Sequence, residues 1–259
     1  MQMAQPRYFR FSRAGQIAGF AFLAATAAMA HAATAQTKGP HRDSRDRLLA
    51  TNACVKCDLA EVDLAGLNLM GADLSQADLS RANLAGAYLT GATLYQAKLT
   101  GANLSGAVIG GANLSGADMG GVNLTRAVSS RANLNMANLA RADFSGAKLE
   151  YSNMEGAILT GANLSRTDLY ESRFLFADLT NVNFIGANLH EADFSHADVN
   201  GVATDATTTC PDLKPGPCDM HVLSEGGEKL STMRQPHFAG EGATPRENPF
   251  QFVLTLHEG

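Results

Sequence analysis

From Cys57 to Val199 the chain repeats every five residues without an insertion or deletion, 29 steps in one phase. Counting from Leu59, the central residue of a step is Leu in 20 of them. Elsewhere it is Phe144, Phe174, Phe184, Phe194, Met119, Met154, Ile109, Val199 or the one polar exception, Ser129. Two residues before the centre stands Ala in 21 steps, and the residue between them is Asp or Asn in 21. In an extended segment, Ala and the central residue share a face while the Asp or Asn points the other way. A straight strand cannot keep this up, because five is odd and the next pair would face the opposite side. A straight α-helix fails too: at about 100° per residue, a five-residue step drifts by about 140° and spreads the Leu residues round the cylinder. The chain must turn once per repeat.

Turn chemistry sits where that demands it. Thirteen glycines, from Gly66 to Gly186, fall two residues after a centre. Glycine accepts the backbone angles of a tight corner, and a Ser or Thr just before it, such as Ser105, can bond to nearby backbone. The 25 Gly, the absence of Trp and the predominance of Ala and Leu among apolar residues suit a long thin core better than a broad one.

Runs such as Gly71-Ala72-Asp73-Leu74-Ser75, Gly101-Ala102-Asn103-Leu104-Ser105 and Gly161-Ala162-Asn163-Leu164-Ser165 resemble the pentapeptide-repeat family, with its A(D/N)LXX pattern. The resemblance implies an all-β fold, a right-handed quadrilateral β-helix with four repeats per coil. Spacing alone shows only one corner per repeat. Four per coil gives about seven coils and a rod of about 34 Å at the usual spacing between strand layers. Under that wrap, residues 20 apart stack, so Tyr88, Val108 and Val128 form an outward apolar column where the pattern expects Asp or Asn. A second group, Tyr151, Tyr170, Leu175 and Phe176, is expected near one corner of the later coils. Both are candidate contact surfaces; tolerated drift or cover by the tail is the plainer alternative.

Residues 1–35 read as a secretory signal peptide: Arg7, Arg10 and Arg13, an apolar stretch from Ile17 to Met29, then small residues up to Ala35, near which cleavage is expected. A membrane anchor would need about 20 strongly apolar residues, more than this Ala-rich run supplies. The expected location is therefore periplasmic or secreted, without stable membrane insertion. Removing these residues takes away three Arg and no acid, moving the formal charge from -5 to -8. That sign disfavours nucleic acid as a partner. Residues 36–56 are expected to form a linker and a short helical cap over 42–53, which would shield the open edge of the first coil. The β-helix is expected over 57–202, a disulfide-stapled cap loop over 203–222, and a flexible tail over 223–259 with a terminal strand at Phe250 to Leu256.

The four cysteines fall at the two ends of the rod. Cys210 lies eleven residues past Val199, at most about 39 Å of extended chain, and would have to double back along the rod to reach Cys57. Local pairs, Cys54 with Cys57 and Cys210 with Cys218, are the simpler expectation and would act as staples in an oxidising compartment. A redox role for Cys54-Val55-Lys56-Cys57 lacks the βαβ context of thioredoxin-like centres. A c-type haem site would need His where Asp58 stands, and distance opposes a shared zinc site.

Catalysis needs unlike groups converging on a recess, whereas a repeat rod spreads like groups in ladders. Ser75, Ser105 and Ser115 are corner residues without an adjacent His and acid, and the glycines belong to corners rather than to a phosphate loop. His190, Glu191, Asp193 and His196 are the one candidate set of metal ligands, but an intervening corner should send them apart. No enzyme activity, metal or cofactor is expected. The leading expectation is a non-catalytic exported scaffold that binds an unidentified protein or envelope component. The family resemblance also raises a DNA-mimicking, gyrase-binding protein; the export signal opposes it, and the phosphate-like place carries ten Asp against eleven Asn. A periplasmic thiol-disulfide protein using the Cys54/Cys57 pair is the third reading.

Overall fold

A computed structural model of the chain describes residues 40–224. Within a step such as Ala72-Asp73-Leu74, the Ala and Leu side chains are fully buried while Asp73 keeps contact with solvent. The Ala77 N–H then donates to the Leu74 carbonyl at 3.0 Å, closing a four-residue turn whose third residue, Gln76, has a φ of 57°. A positive φ at that place is what a type II turn requires. Gly106 reaches the same conformation without strain, with φ 64° and open space where a Cβ would stand. Arg81, Met136 and Phe176 hold it without being glycine, at a local cost of about 1–2 kcal/mol each.

Successive coils pair edge to edge. Outward residues bridge in parallel to the residue 20 positions on, from Ala53↔Asp73 to Asn183↔Ala203. Four five-residue steps therefore make one circuit, and the coil has four walls. The first wall begins with Asp58, the second with Asp63, the third with Asn68 and the fourth with Asp73; each corner is named after the wall it follows. The Thr93 N–H donates down to the Ala72 carbonyl at 2.8 Å, and the Leu94 N–H donates up to the Asn113 carbonyl at 2.7 Å. Corners stack as well, with the Gly86 N–H donating to the Ser105 carbonyl at 2.9 Å.

The outward Asp and Asn do more than face water. Asp73 Oδ1 accepts from the Ser75 N–H at 3.0 Å, and Asn123 Oδ1 from the Thr125 N–H at 3.0 Å. Such a bond bridges two residues and braces the turn. The corner Ser and Thr were expected to do this; the short Asx side chain, two residues earlier and just before the turn, has the better reach. Amide groups also tie one coil to the next, as Asn123 Nδ2 donates to Asn103 Oδ1 at 3.2 Å and Asn103 Nδ2 to Asn83 Oδ1 at 3.2 Å.

The axis is filled by the central residues. Phe174 and Phe194 stack with centroids 5.0 Å apart, and Phe184, from the opposite wall, meets both edge-on at 6.0 and 5.9 Å. Polar residues at Ala places are satisfied by backbone: Ser152 Oγ donates to the Ser129 carbonyl at 2.8 Å and Thr167 Oγ1 to the Phe144 carbonyl at 3.1 Å. Ser129 itself is fully buried, and its hydroxyl is the one buried side-chain polar atom without a hydrogen-bond partner among the described residues. Ser129→Ala removes that hydroxyl with almost no change in volume. It is expected to raise stability by about 1–3 kcal/mol, measured by denaturant unfolding; a loss of stability would show that the hydroxyl is satisfied after all.

Both ends carry helices. Helix α1 (Pro40–Thr51) opens on Pro and places Asp43 in its first turn, both favourable at a helix N-terminus. It ends at Asn52, whose φ of 53° and N–H bond to the Leu48 carbonyl at 2.8 Å make an αL stop. Leu48 is buried with the core, and Arg45 Nε donates to the Asp63 carbonyl at 3.2 Å on the edge of the first coil. At the other end, pairing runs past Val199 to Asn188↔Thr209, one residue out of the 20-residue register, and Thr209 pairs antiparallel with Pro215. Helix α2 (Met220–Ser224), where the sequence reading had loop and tail, buries Met220 against the core. The segment read as a signal peptide, 1–35, and the strand expected at Phe250 to Leu256 lie outside the described residues.

Candidate functional site

Tyr88, Val108 and Val128 bridge one to the next on the third wall, in the column their spacing implies. Tyr88 is 51% exposed and Val128 is also exposed, with Val108 partly covered between them. Asn68 stands below the column and Lys148 above it.

The second expected group is not one surface. Tyr151 and Tyr170 lie on the third corner, their rings edge-on at 5.4 Å. Leu175 and Phe176 belong to the fourth corner, one wall further round, because five residues of chain carry the path past a whole side of the coil. The grouping of these four residues on one corner is therefore corrected to two pairs on adjacent corners.

On the third corner, Tyr170 also meets the His190 ring at 5.3 Å, and Arg131 Cζ lies 5.3 Å from the Tyr151 centroid. Ser130 Oγ donates to the Glu150 carboxylate. Gly110 and Gly111 lie one coil lower and have no side chains, so Ser130, Arg131, Glu150 and Tyr151 overhang a shallow depression. A hydrogen bond from the Tyr170 phenol to the Glu171 carboxylate, with partial burial and nearby acids, pushes this phenol up to about 12. A raised phenol favours the fold while it is protonated. That contribution is complete below the usual tyrosine value of 10.0 and is lost as pH rises through about 12. Glu171→Gln is expected to bring this ionisation down towards the usual tyrosine value of 10.0 in an ultraviolet absorbance titration; an unchanged titration would contradict the assignment.

The fourth corner carries an apolar surface of which sequence reasoning named Leu175 and Phe176 but missed Met136 and, beside it, Ile158. Phe176, 61% exposed, stacks on His196 with centroids 5.0 Å apart. Met136, 69% exposed, stands two coils below in the same stack and lays its Sδ across Gly156, where a Cβ would come within 2.5 Å. Ile158 is exposed on the neighbouring first wall. The signal was present: Ile158 breaks the Asx rule as Tyr88 does, and Met136 is 40 residues before Phe176.

His190 and Glu191 share the third corner, Asp193 lies on the fourth wall and His196 on the fourth corner, with both imidazoles packed on aromatic rings. Among the described residues no three His, Cys, Asp or Glu side chains converge as metal ligands would, and no helix is long and apolar enough to cross a membrane. The Ser75 and Ser115 hydroxyls donate to Asp73 Oδ1 at 2.6 Å and Asn113 Oδ1 at 2.7 Å within their own steps. The Ser75 hydroxyl and then its N–H hold the Asp73 carboxyl below the usual aspartate value. The Sγ atoms of Cys54 and Cys57 are 2.03 Å apart, and those of Cys210 and Cys218 are 2.11 Å apart. Cys54 takes a central place and Cys57 the following Ala place, so the pair spans a corner; Cys54 is fully buried and Cys57 8% exposed.

A family model described as pentapeptide repeats matches the chain in eight copies, over residues 57–94, 68–106, 87–126, 137–174 and 173–202. The chain belongs to the pentapeptide-repeat family. Pentapeptide-repeat proteins fold as right-handed quadrilateral β-helices, in keeping with the four-walled register of the bridges. Among solved structures, full-length QnrB1, a plasmid-mediated fluoroquinolone resistance protein, is 26% identical, with 59% of this chain and 82% of that one covered and a TM-score of 0.51. HetL is a pentapeptide repeat protein involved in heterocyst differentiation regulation from the cyanobacterium Nostoc sp. strain PCC 7120. It is 24% identical, with 66% of this chain and 97% of that one covered and a TM-score of 0.45. No curated protein matches. Pentapeptide-repeat proteins are typically structural or binding proteins, and no catalytic family is indicated for this one.

Proposed function

We propose that this pentapeptide-repeat chain is a non-catalytic exported scaffold that holds a protein or envelope component against the walls and corners of its β-helix. The outer surface carries the reading: polar side chains stand in separate ladders, and most of the exposed large apolar ones among the described residues gather on the third wall and on the third and fourth corners. Ladders of like groups suit binding better than chemistry, and clustered apolar exposure marks contact surfaces. Under this reading residues 1–35 direct export to the periplasm or beyond, α1 caps the first of about seven coils, and the two cysteine pairs staple the ends in an oxidising compartment.

A tagged full chain tests it. The expected product lacks residues 1–35, resides in the periplasmic or envelope fraction, and is captured there with a partner by chemical crosslinking. A cytoplasmic, uncleaved product would overturn the export half and favour the gyrase-binding reading that the family resemblance raises. The thiol-disulfide reading is tested separately. The buried Cys54/Cys57 pair is expected to resist both mild reductant and alkylation in the native state. Cys54→Leu with Cys57→Ala, which installs the residues most other steps use, is expected to fold with the same coil structure by circular dichroism. Rapid native labelling of Cys54 would instead favour redox activity.

A further inference from the structure

The third corner has a narrower chemistry than general stickiness. Successive coils place Ser130-Arg131, Glu150-Tyr151, Tyr170-Glu171 and His190-Glu191 one above another. The rings of Tyr151, Tyr170 and His190 form a continuous ladder, with centroids 5.4 and 5.3 Å apart. At its lower end the Arg131 guanidinium already lies over the Tyr151 ring, 5.3 Å from the centroid. The negative ring face attracts cations, so the protein's own side chain displays what this ladder binds. The corner is also unbalanced in charge, with Glu150, Glu171 and Glu191 against Arg131. Val108 and Val128 stand two residues before the corner pairs Gly110-Gly111 and Ser130-Arg131, so the apolar column of the third wall ends one coil below Tyr151 and continues the line of the ladder towards the first coil.

We propose that the third corner docks an extended peptide segment whose Arg or Lys side chains lie over the Tyr151, Tyr170 and His190 ladder and whose apolar side chains lie on Tyr88, Val108 and Val128. The proposal rests on the scaffold reading and specifies its partner. Extended backbone advances about 3.3 Å per residue against about 4.8 Å per coil, so a segment running along the rod can lay basic residues over the ladder and the apolar residues that adjoin them over the column. Nucleic acid would meet three carboxylates of its own sign. A glycan would stack on the rings without needing the carboxylates.

The test uses the mature full chain and a fluorescein-labelled peptide with an Arg-rich half and a Val-rich half, followed by fluorescence anisotropy, with the same peptide carrying Glu in place of Arg as control. The Arg peptide is expected to bind and the Glu peptide not. Tyr151→Leu with Tyr170→Leu, at unchanged net charge, is expected to weaken binding by about 5-fold or more, whereas Tyr151→Phe with Tyr170→Phe retains it. Arg131→Met is expected to tighten binding by vacating the ring face. Glu171→Gln with Glu191→Gln should weaken it more than Asp63→Asn with Asp143→Asn, an equal change of charge on the second wall. These side chains stand on the outer surface, and matching thermal melts confirm that each variant folds. Wild-type affinity in the Leu variant, or equal weakening by the two charge variants, would overturn the corner assignment and reduce the binding to general attraction. Crosslinked capture separates the two levels of the argument. A partner held equally by wild type and the Leu variant overturns the corner site alone, and peptide binding as expected with no captured partner overturns the scaffold role alone.

Discussion

Leu124→Asp is expected to abolish the cooperative thermal transition of the rod, as followed by circular dichroism. Leu124 is fully buried on the axis, stacked between Leu104 and Phe144 at 20-residue intervals. A carboxylate there has no partner, and burying it costs several kcal/mol. A domain's whole stability is about 5–15 kcal/mol. Because each coil touches only its neighbours, a defect in mid-rod also uncouples the two halves. The adjacent outward position is the internal control. Asn123→Asp keeps the oxygen that accepts the Thr125 N–H and loses the amide bond to Asn103, a change of about 1 kcal/mol. Similar melting of the two variants would mean that inside and outside have been exchanged.

Phe184→Ala is expected to cost about 3–5 kcal/mol and to act locally. The ring projects from the second wall against Phe174 and Phe194 on the fourth, and no other side chain fills that part of the axis when it is truncated. In a quasi-one-dimensional fold the damage should stay near its source. Amide hydrogen exchange is expected to accelerate over residues 174–209 while residues 57–126 keep their protection. Phe144→Leu, which installs the commonest central residue, should cost less than about 1.5 kcal/mol. Uniform acceleration along the whole chain after Phe184→Ala would contradict the independence of the coils.

The inward and outward faces were legible because a five-residue apolar period has so few backbone solutions: Ala72 and Leu74 had to share a side, and the chain had to turn at Gln76. The number of walls was not, since any wrap with one corner per step satisfies the spacing; family likeness supplied four, and bridges such as Tyr88↔Val108 carry the same register. Grouping Tyr151 with Phe176 failed because nearness in sequence is not nearness round a polygon, where one step is one wall. Met136 escaped notice because a corner place normally tolerates any solvent-facing side chain, and its relation to Phe176 emerges only after the coil is wound. The Asx contribution to the turns was hidden because outward polarity already explained the ladder. Helix α2 had no periodic signal in its five residues; burial of Met220 holds it.

The four-walled, five-residue register is tested most directly by paired cysteines on the outer surface. Asn113 and Asn133 bridge each other on the fourth wall, which sets their Cα atoms at about the 4.8 Å strand spacing, within the range a disulfide spans. Asn113→Cys with Asn133→Cys is expected to form that disulfide under mild oxidation, mapped by mass spectrometry, while Asn113→Cys paired with Val128→Cys or with Asn138→Cys remains reduced. Crosslinking in either of the latter pairs, with none in the first, would contradict the register on which both the buried axis and the outer surfaces depend.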